Sequence, residues 1–135
     1  MTTSLFVQAV RDRLAPWRVT DDRAVMDDLS WRPPWVVLDF PPMWPVTDRW
    51  EGPADDRRAG VFQTTCVATS AATARDLHDR VVPLLADWQP QVPGWMVHPV
   101  LADWQPRALT PYTGIPDRVL HQVAAGWTWH AYRTH

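Results

Sequence analysis

The sequence has no lysine and very little glutamate, cysteine or glycine. All thirteen basic residues are arginine, fourteen of the fifteen acidic residues are aspartate, and only five glycines occur among 135 residues. With so few glycines, the sequence contains no glycine-rich loop of the kind that cradles phosphate groups. The formal net charge of −2 lacks the basic bias typical of nucleic-acid-binding proteins. We therefore expect no specific recognition of nucleic acid.

Candidate catalytic and metal-binding groups are equally sparse. Cys66 is the single cysteine, so it cannot form an internal disulfide, and its place in the run VFQTTCVAT indicates a small core residue. The three serines lack the strained-turn context of a hydrolase nucleophile. The five histidines lack the spacing of a zinc site. We expect no enzyme activity, no cofactor and no metal.

Long hydrophobic runs are also missing. No window reaches the length needed to span a bilayer, and the N-terminal MTTSLFVQAVRDRL lacks the basic and apolar regions of a signal peptide. We expect a protein made in the cytoplasm, with no membrane partner and with residues 1–135 forming a single domain.

Tryptophan and proline are abundant instead. The ten tryptophans can each bury on the order of 200 Å², which is more than one small core can hold. Two interpretations stay open. Some tryptophans lie half-exposed on loops, or some serve a protein–protein interface, where tryptophan and arginine are both enriched.

Hydrophobic periodicity predicts two helices and several strands. The first helix covers TSLFVQAVRDRLAPW and stops at Pro16; the second follows the capping residue Ser70 and extends to Trp88, with a bend at Pro83. Strands are predicted at Trp35–Phe40, Val61–Thr69, Trp95–His98, Arg107–Tyr112 and Val119–Arg133. This order predicts an α+β fold in which two helices pack on one face of a mainly antiparallel sheet.

Two proline-rich segments interrupt this pattern. Residues 41–60 are predicted to be a long loop or hairpin tip, and residues 89–116 form a segment rich in proline and tryptophan. The hexapeptide LADWQP occurs twice, but its flanking sequences differ, so it is not a structural repeat. The first copy completes the second helix through Trp88. The second copy places Trp104 in the proline-rich segment, where we expect an intersubunit contact.

The loop sequence EGPADDRRAG places two acids directly before two arginines. One interpretation is a solvated charged turn. The other is a self-complementary patch in which Asp55 and Asp56 of one subunit meet Arg57 and Arg58 of the next, as in a head-to-tail ring.

The order of parts resembles the small tail terminator (tail completion) proteins of long-tailed bacteriophages, especially those of actinobacterial phages. The matching pieces are the N-terminal helix SLFVQAVRDRLA, the strand PPWVVLDF, the unit VFQTTCVATSAATARDLHDRVVPLL and the tryptophan-rich final strand. The likeness covers most of the chain.

The resemblance implies an α+β virion protein that assembles into a hexameric ring in the neck region of the tail. In this family the ring sits on the last ring of tail-tube protein, halts polymerisation and offers a surface to the head connector or head-closure protein. The hypothetical interface residues are Trp44, Trp50, Asp55, Asp56, Arg57, Arg58, Trp95 and Trp104.

Alternatives from other classes stay open. The nearest is another neck component, such as a head-closure or head–tail joining protein. A small monomeric host-directed binding protein is the next, and a small hydrolase ranks last because no nucleophile has a suitable setting.

Overall fold

The structure, a computed structural model, describes residues 3–41, 44–45 and 57–134. The described elements are, in chain order, α1 (Thr3–Leu14), β1 (Val19–Thr20), a 3-10 helix (Arg23–Asp27), β2 (Trp35–Asp39), β3 (Trp44–Pro45), β4 (Arg57–Ala68), α2 (Ala71–Leu85), β5 (Gln91–Val92), β6 (Trp95–Val97), β7 (Leu101–Ile115) and β8 (Arg118–Arg133).

All eight strands belong to one sheet, in the order β1-β2-β4-β8-β6-β5, with β3 paired to β4 and β7 paired to β8. The β1–β2 pair is parallel and the other pairs are antiparallel. On one edge of β8, β4 pairs continuously from Ala68↔His121 to Arg57↔Tyr132. On the other edge, β6 and β7 lie one after the other along β8.

The two helices form where caps and periodicity predict them. In α1, the fully buried residues Phe6, Val10 and Leu14 recur every four positions, which gives one apolar stripe. In α2, the Ser70 hydroxyl accepts a hydrogen bond from the backbone N–H of Thr73 at 3.1 Å, which confirms the predicted N-cap.

The predicted end of α2 at Trp88 is wrong, because the helix ends at Leu85. Asp87 adopts a left-handed conformation with φ of 61°, and its backbone N–H bonds to the Val100 carbonyl at 2.8 Å. The Val100 N–H returns a bond to the Trp88 carbonyl, also at 2.8 Å. Pairing with a distant segment therefore ends the helix, and Trp88 packs half-buried against the core.

Side chains of both helices join alternate residues of the sheet in one buried cluster. Phe6 of α1 stacks on Trp129 of β8 with ring centroids 4.2 Å apart. The other large members of this cluster include Leu14, Leu38, Phe62, Leu77, Leu85, Trp95 and Trp127. Two helices and a mainly antiparallel sheet agree with the predicted α+β class.

A second cluster covers the opposite face of the sheet at one end. Its buried members are Val25, Met26, Trp35, Val37, Val67 and Leu120. No helix or strand was predicted between Pro16 and Trp35, so this layer was not expected. As a result β2 is buried on both faces.

Arg118 connects β8 to the segment that carries the second cluster. Its guanidinium donates to the backbone carbonyls of Met26 at 2.9 Å and Trp31 at 3.1 Å, and makes longer contacts to those of Val25 and Asp28. It also lies 5.5 Å from the ring centre of Trp35. The Arg118 side chain thus donates hydrogen bonds to backbone carbonyls that are not part of the described strand pairing.

Both proline-rich segments contain more strand than predicted, and the strand predicted at Trp95–His98 is present as β6. β4 begins at Arg57, not at Val61, so residues 57–60 belong to a strand and not to the loop. The predicted short strand Arg107–Tyr112 is part of the 15-residue β7. Proline is tolerated in β7 because this strand lies at a sheet edge, where a missing N–H on the outer side breaks no ladder bond. In addition, four register shifts interrupt the hydrogen-bonded pairing of β7 with β8.

Two glycines allow tryptophan rings to lie flat on the sheet. A Cβ at Gly60 would lie 2.5 Å from the indole of Trp129, and one at Gly126 would lie 1.9 Å from that of Trp104. Trp129 is only 2 % exposed, whereas Trp104 is half-buried on the edge strand.

We expect Gly60→Ala to lower the free energy of unfolding by about 3 kcal/mol and Gly126→Ala by about 1 kcal/mol, because overpacking costs most where the displaced ring cannot move. Chemical denaturation measures both. The exposed Ala102→Ser is the control and should change stability by less than about 0.5 kcal/mol. Equal decreases in the free energy of unfolding for the two variants would show that the freedom of the displaced ring does not set the cost.

Candidate interface surfaces

Three arginines stack on two aromatic rings where β4 begins and β8 ends. Arg57 lies 5.0 Å from the ring centre of Tyr132. Arg58 and Arg133 lie 5.9 Å and 5.3 Å from that of Trp95. We call these five residues the arginine–aromatic cluster. Strand pairing creates it, because Arg57 is the register partner of Tyr132 and Trp95 that of Arg133.

Hydrogen bonds hold the cluster in place. The Arg57 Nη2 donates to the Tyr132 hydroxyl at 3.2 Å, and the Arg58 Nη1 donates to the Arg57 carbonyl at 2.9 Å. Trp95 is only 9 % exposed, so it supports the arginines and offers little surface of its own. The Nε and Nη1 atoms of Arg57 are themselves buried, so ring stacking and hydrogen bonding hold its guanidinium in one orientation.

The structure therefore brings together three of the eight residues predicted as an interface: Arg57, Arg58 and Trp95. The two arginines lie in β4 and not at a loop tip, which corrects their predicted setting. Tyr132 and Arg133, the last two residues of β8, were not predicted as interface residues and carried no signal of their own.

The other predicted residues lie elsewhere. The backbone of Trp44 pairs with Ala59, and its side chain is outside the described residues. Trp50, Asp55 and Asp56 are also outside them.

Trp104 lies on the edge strand β7, apart from the arginine–aromatic cluster. Its ring covers Gly126, and the guanidinium of Arg107 lies 5.0 Å from its centre. Trp104 is thus partly committed to its own chain. Its exposed neighbour Arg107 was not predicted as an interface residue.

A groove lies at the opposite edge of the sheet, between α1 and the end of β2. It encloses about 480 Å³. Its lining consists of Ser4, Val7, Gln8 and Arg11 of α1 with Asp21, Leu38, Asp39 and Phe40. The sequence carried no signal for it, since it arises from β1 pairing with only Val36 and Val37 of β2.

The described residues offer little for catalysis or metal binding. Burial raises the pKa of the Cys66 thiol to about 12, so this thiol is not a nucleophile at neutral pH. The described part of the chain contains no group of three or more His, Cys, Asp or Glu side chains that could hold a metal ion. None of its helices is long and apolar enough to cross a membrane.

Comparison with known proteins finds a shared fold without a shared family. No family model and no curated protein matches the sequence. A chain from the virion of a native gene transfer agent particle matches with a TM-score of 0.62 and 13% identity, over 93% of this chain and 92% of its own length. A second solved chain matches with a TM-score of 0.59 and 16% identity, over 100% and 99% of the two chains. At these identities the likeness shows the fold alone.

Among the described histidines, His78 of α2 is the buried one, at 6 % exposure. Its Nδ1 is buried without a hydrogen-bond partner in the described structure. Burial lowers the pKa of His78 below its usual 6.5, and the charge of Asp79 opposes the shift. Because the unfolded chain takes up this proton more readily, protonation below pH 6.5 favours unfolding.

We expect the wild-type chain to lose stability as the pH falls from 7 to 5, and His78→Gln to lose less over the same interval. Urea denaturation at several pH values gives the two slopes. His130→Gln, at an exposed position, controls for the simple loss of an imidazole. If His130→Gln reduces the pH dependence of the unfolding free energy as much as His78→Gln does, the assignment to His78 is contradicted.

Proposed function

We propose that this chain is a structural virion protein that forms a hexameric ring on the end of a phage tail tube, stops tube polymerisation and provides the surface that joins the head connector. The observation that carries the proposal is the fold shared with a virion chain over almost the full length of both molecules. The sequence resemblance to tail terminators points the same way.

The arrangement of the sheet supports a ring. A ring with rotational symmetry needs two different surfaces on opposite sides of each subunit. The strand order places the groove beside β2 at one edge and the exposed strand β7 at the other. A single domain comprising residues 1–135 would therefore carry two distinct lateral surfaces.

The arginine–aromatic cluster supplies a charged contact in this proposal. Arg57 and Arg58 of one subunit meet Asp55 and Asp56 of the next, and Trp44, Trp50 and Trp104 contribute to subunit or partner contacts, while Trp95 supports the arginines. Stacked guanidinium groups are suited to such pairing, because their orientation is fixed before the carboxylates arrive.

The partners that follow are the tail-tube protein below the ring and a head connector or head-closure protein above it, in the neck of the virion. The role requires no cofactor and no chemistry. A head-closure or other head–tail joining protein remains the nearest alternative, and tail length separates the two roles.

Deleting the gene from the phage that encodes it should yield tails of uncontrolled length, because nothing would stop the tube from growing. Electron microscopy of the particles measures the length distribution, and expression of the gene in trans is the control. Tails of normal length that are detached from heads would instead indicate a head-closure protein. Normal virions would contradict both roles.

Reversing Arg57→Asp and Arg58→Asp together should weaken ring formation about 100-fold, because like charges would then face each other across the contact. Sedimentation at increasing concentration measures this, both alone and with tail tubes. Arg75→Asp with Arg80→Asp, on α2, is the matched control. If the Arg57→Asp, Arg58→Asp variant assembles as well as the wild type, the two arginines are not part of the interface. That result would not contradict the proposed ring.

A further inference from the structure

The two edges of the sheet are open to different extents. Among the described strands, nothing pairs with the outer edge of β7 along its 15 residues. At the opposite edge, β1 pairs with Val36 and Val37 and then ends, which leaves the outer edge of residues 38–40 open within the described part of the chain. One edge is long and exposed, and the other is short.

The short edge lies beside the groove described above. Residues of α1 form one wall, and Leu38, Asp39 and Phe40 form the other. An open strand edge flanked by a helix is the geometry in which an extended segment adds to a sheet, with main-chain hydrogen bonds giving affinity. The groove therefore fits one strand of about three residues.

The long edge offers a segment of matching length. Pro106 and Pro111 of β7 are exposed, and neither has a backbone N–H to donate. Between them, residues 107–110 all keep their N–H groups. This four-residue window is the uninterrupted part in the middle of the exposed edge, and three of its residues can lie beside the open edge of residues 38–40.

Charge fixes the direction of the pairing. Arg107 is exposed at the start of the window, and Asp21 is exposed at the rim of the groove, directly after β1. Asp39 is already bound by Arg23 at 2.6 Å. Arg107 therefore fits Asp21, which places the window parallel to β2 and in line with β1.

We propose that residues 107–110 of one copy add to the open edge of β2 in a second copy, with Arg107 against Asp21, so that the sheet continues from subunit to subunit. The inference deepens the proposed function and depends on its ring. The contact is heterologous, so repeated copies form a ring when the rotation between them closes, and an open filament when it does not.

A disulfide tests the contact directly. Within one chain, β2, β4 and β8 lie between positions 21 and 107 in the sheet, and three strand spacings amount to about 14 Å along the sheet. Two cysteines cannot join when their Cα atoms are more than about 7 Å apart. Any disulfide between these positions therefore links two copies. The thiol of Cys66 is buried and has a raised pKa, so it does not form a competing disulfide.

The test uses the full chain carrying Asp21→Cys and Arg107→Cys, mildly oxidised both alone and with tail tubes. We expect a ladder of linked chains on a non-reducing gel that ends at a closed oligomer, with at least about tenfold more product than either single variant. Arg80→Cys with Arg107→Cys is the matched control and should give no ladder. Dimers from Arg107→Cys alone in the same yield as the linked chains of the double variant would overturn the proposal, because they would indicate a two-fold contact.

Charge exchange gives a second measurement. Arg107→Asp and Asp21→Arg should each weaken assembly about tenfold, and the two together should restore it. The edge pairing would be overturned if the double-cysteine variant gives no ladder and the charge exchange does not restore assembly, under conditions in which wild-type rings cap the tubes. That result would not contradict the proposed ring cap. Wild-type protein that leaves the tubes uncapped would overturn the proposed function itself.

Discussion

The ladder between β4 and β8 is the interaction on which the other layers depend. Twelve register pairs join the two strands without interruption, from Arg57↔Tyr132 to Ala68↔His121. Alternate side chains of β8 then serve opposite faces. Trp127 and Trp129 pack toward the helices, and Leu120 packs toward the 3-10 helix. Because β6 and β7 occupy the free edge of the same strand, a shift of one residue in this register would displace every layer at once.

Local signals were sufficient for part of this fold. The predicted helices and the final strand follow from periods of 3.6 and 2 residues, and Ser70 caps α2 as a short-range pattern indicates. The errors lie where distant segments decide. Asp87 ends α2 by pairing with Val100, which no window of local sequence contains. The prolines of β7 indicated broken structure, although an edge strand tolerates them. The layer over the second face depends on Arg118, more than eighty residues from the carbonyls that it binds.

The candidate surfaces show the same division. The run of two acids and two arginines drew attention to Arg57 and Arg58 by composition alone. What makes these residues a surface is the ring of Tyr132, 75 residues away, and the ring of Trp95 on another strand. Trp104 was predicted as a contact residue because it is a tryptophan among prolines, but its fit over Gly126 appears only once β7 and β8 are in register. The groove beside β2 had no sequence signal, since it is defined by where β1 stops.

The way Arg118 holds the second cluster has a consequence for how the molecule opens. The residue stands directly after the turn between β7 and β8, and Tyr112 near the same end donates its hydroxyl hydrogen to Asp27. Fraying of this hairpin end therefore releases the backbone of the 3-10 segment at the same moment, and the two form one cooperative unit. Amide protons in both parts should then report the same opening free energy in hydrogen exchange, although nearly ninety residues of chain separate them.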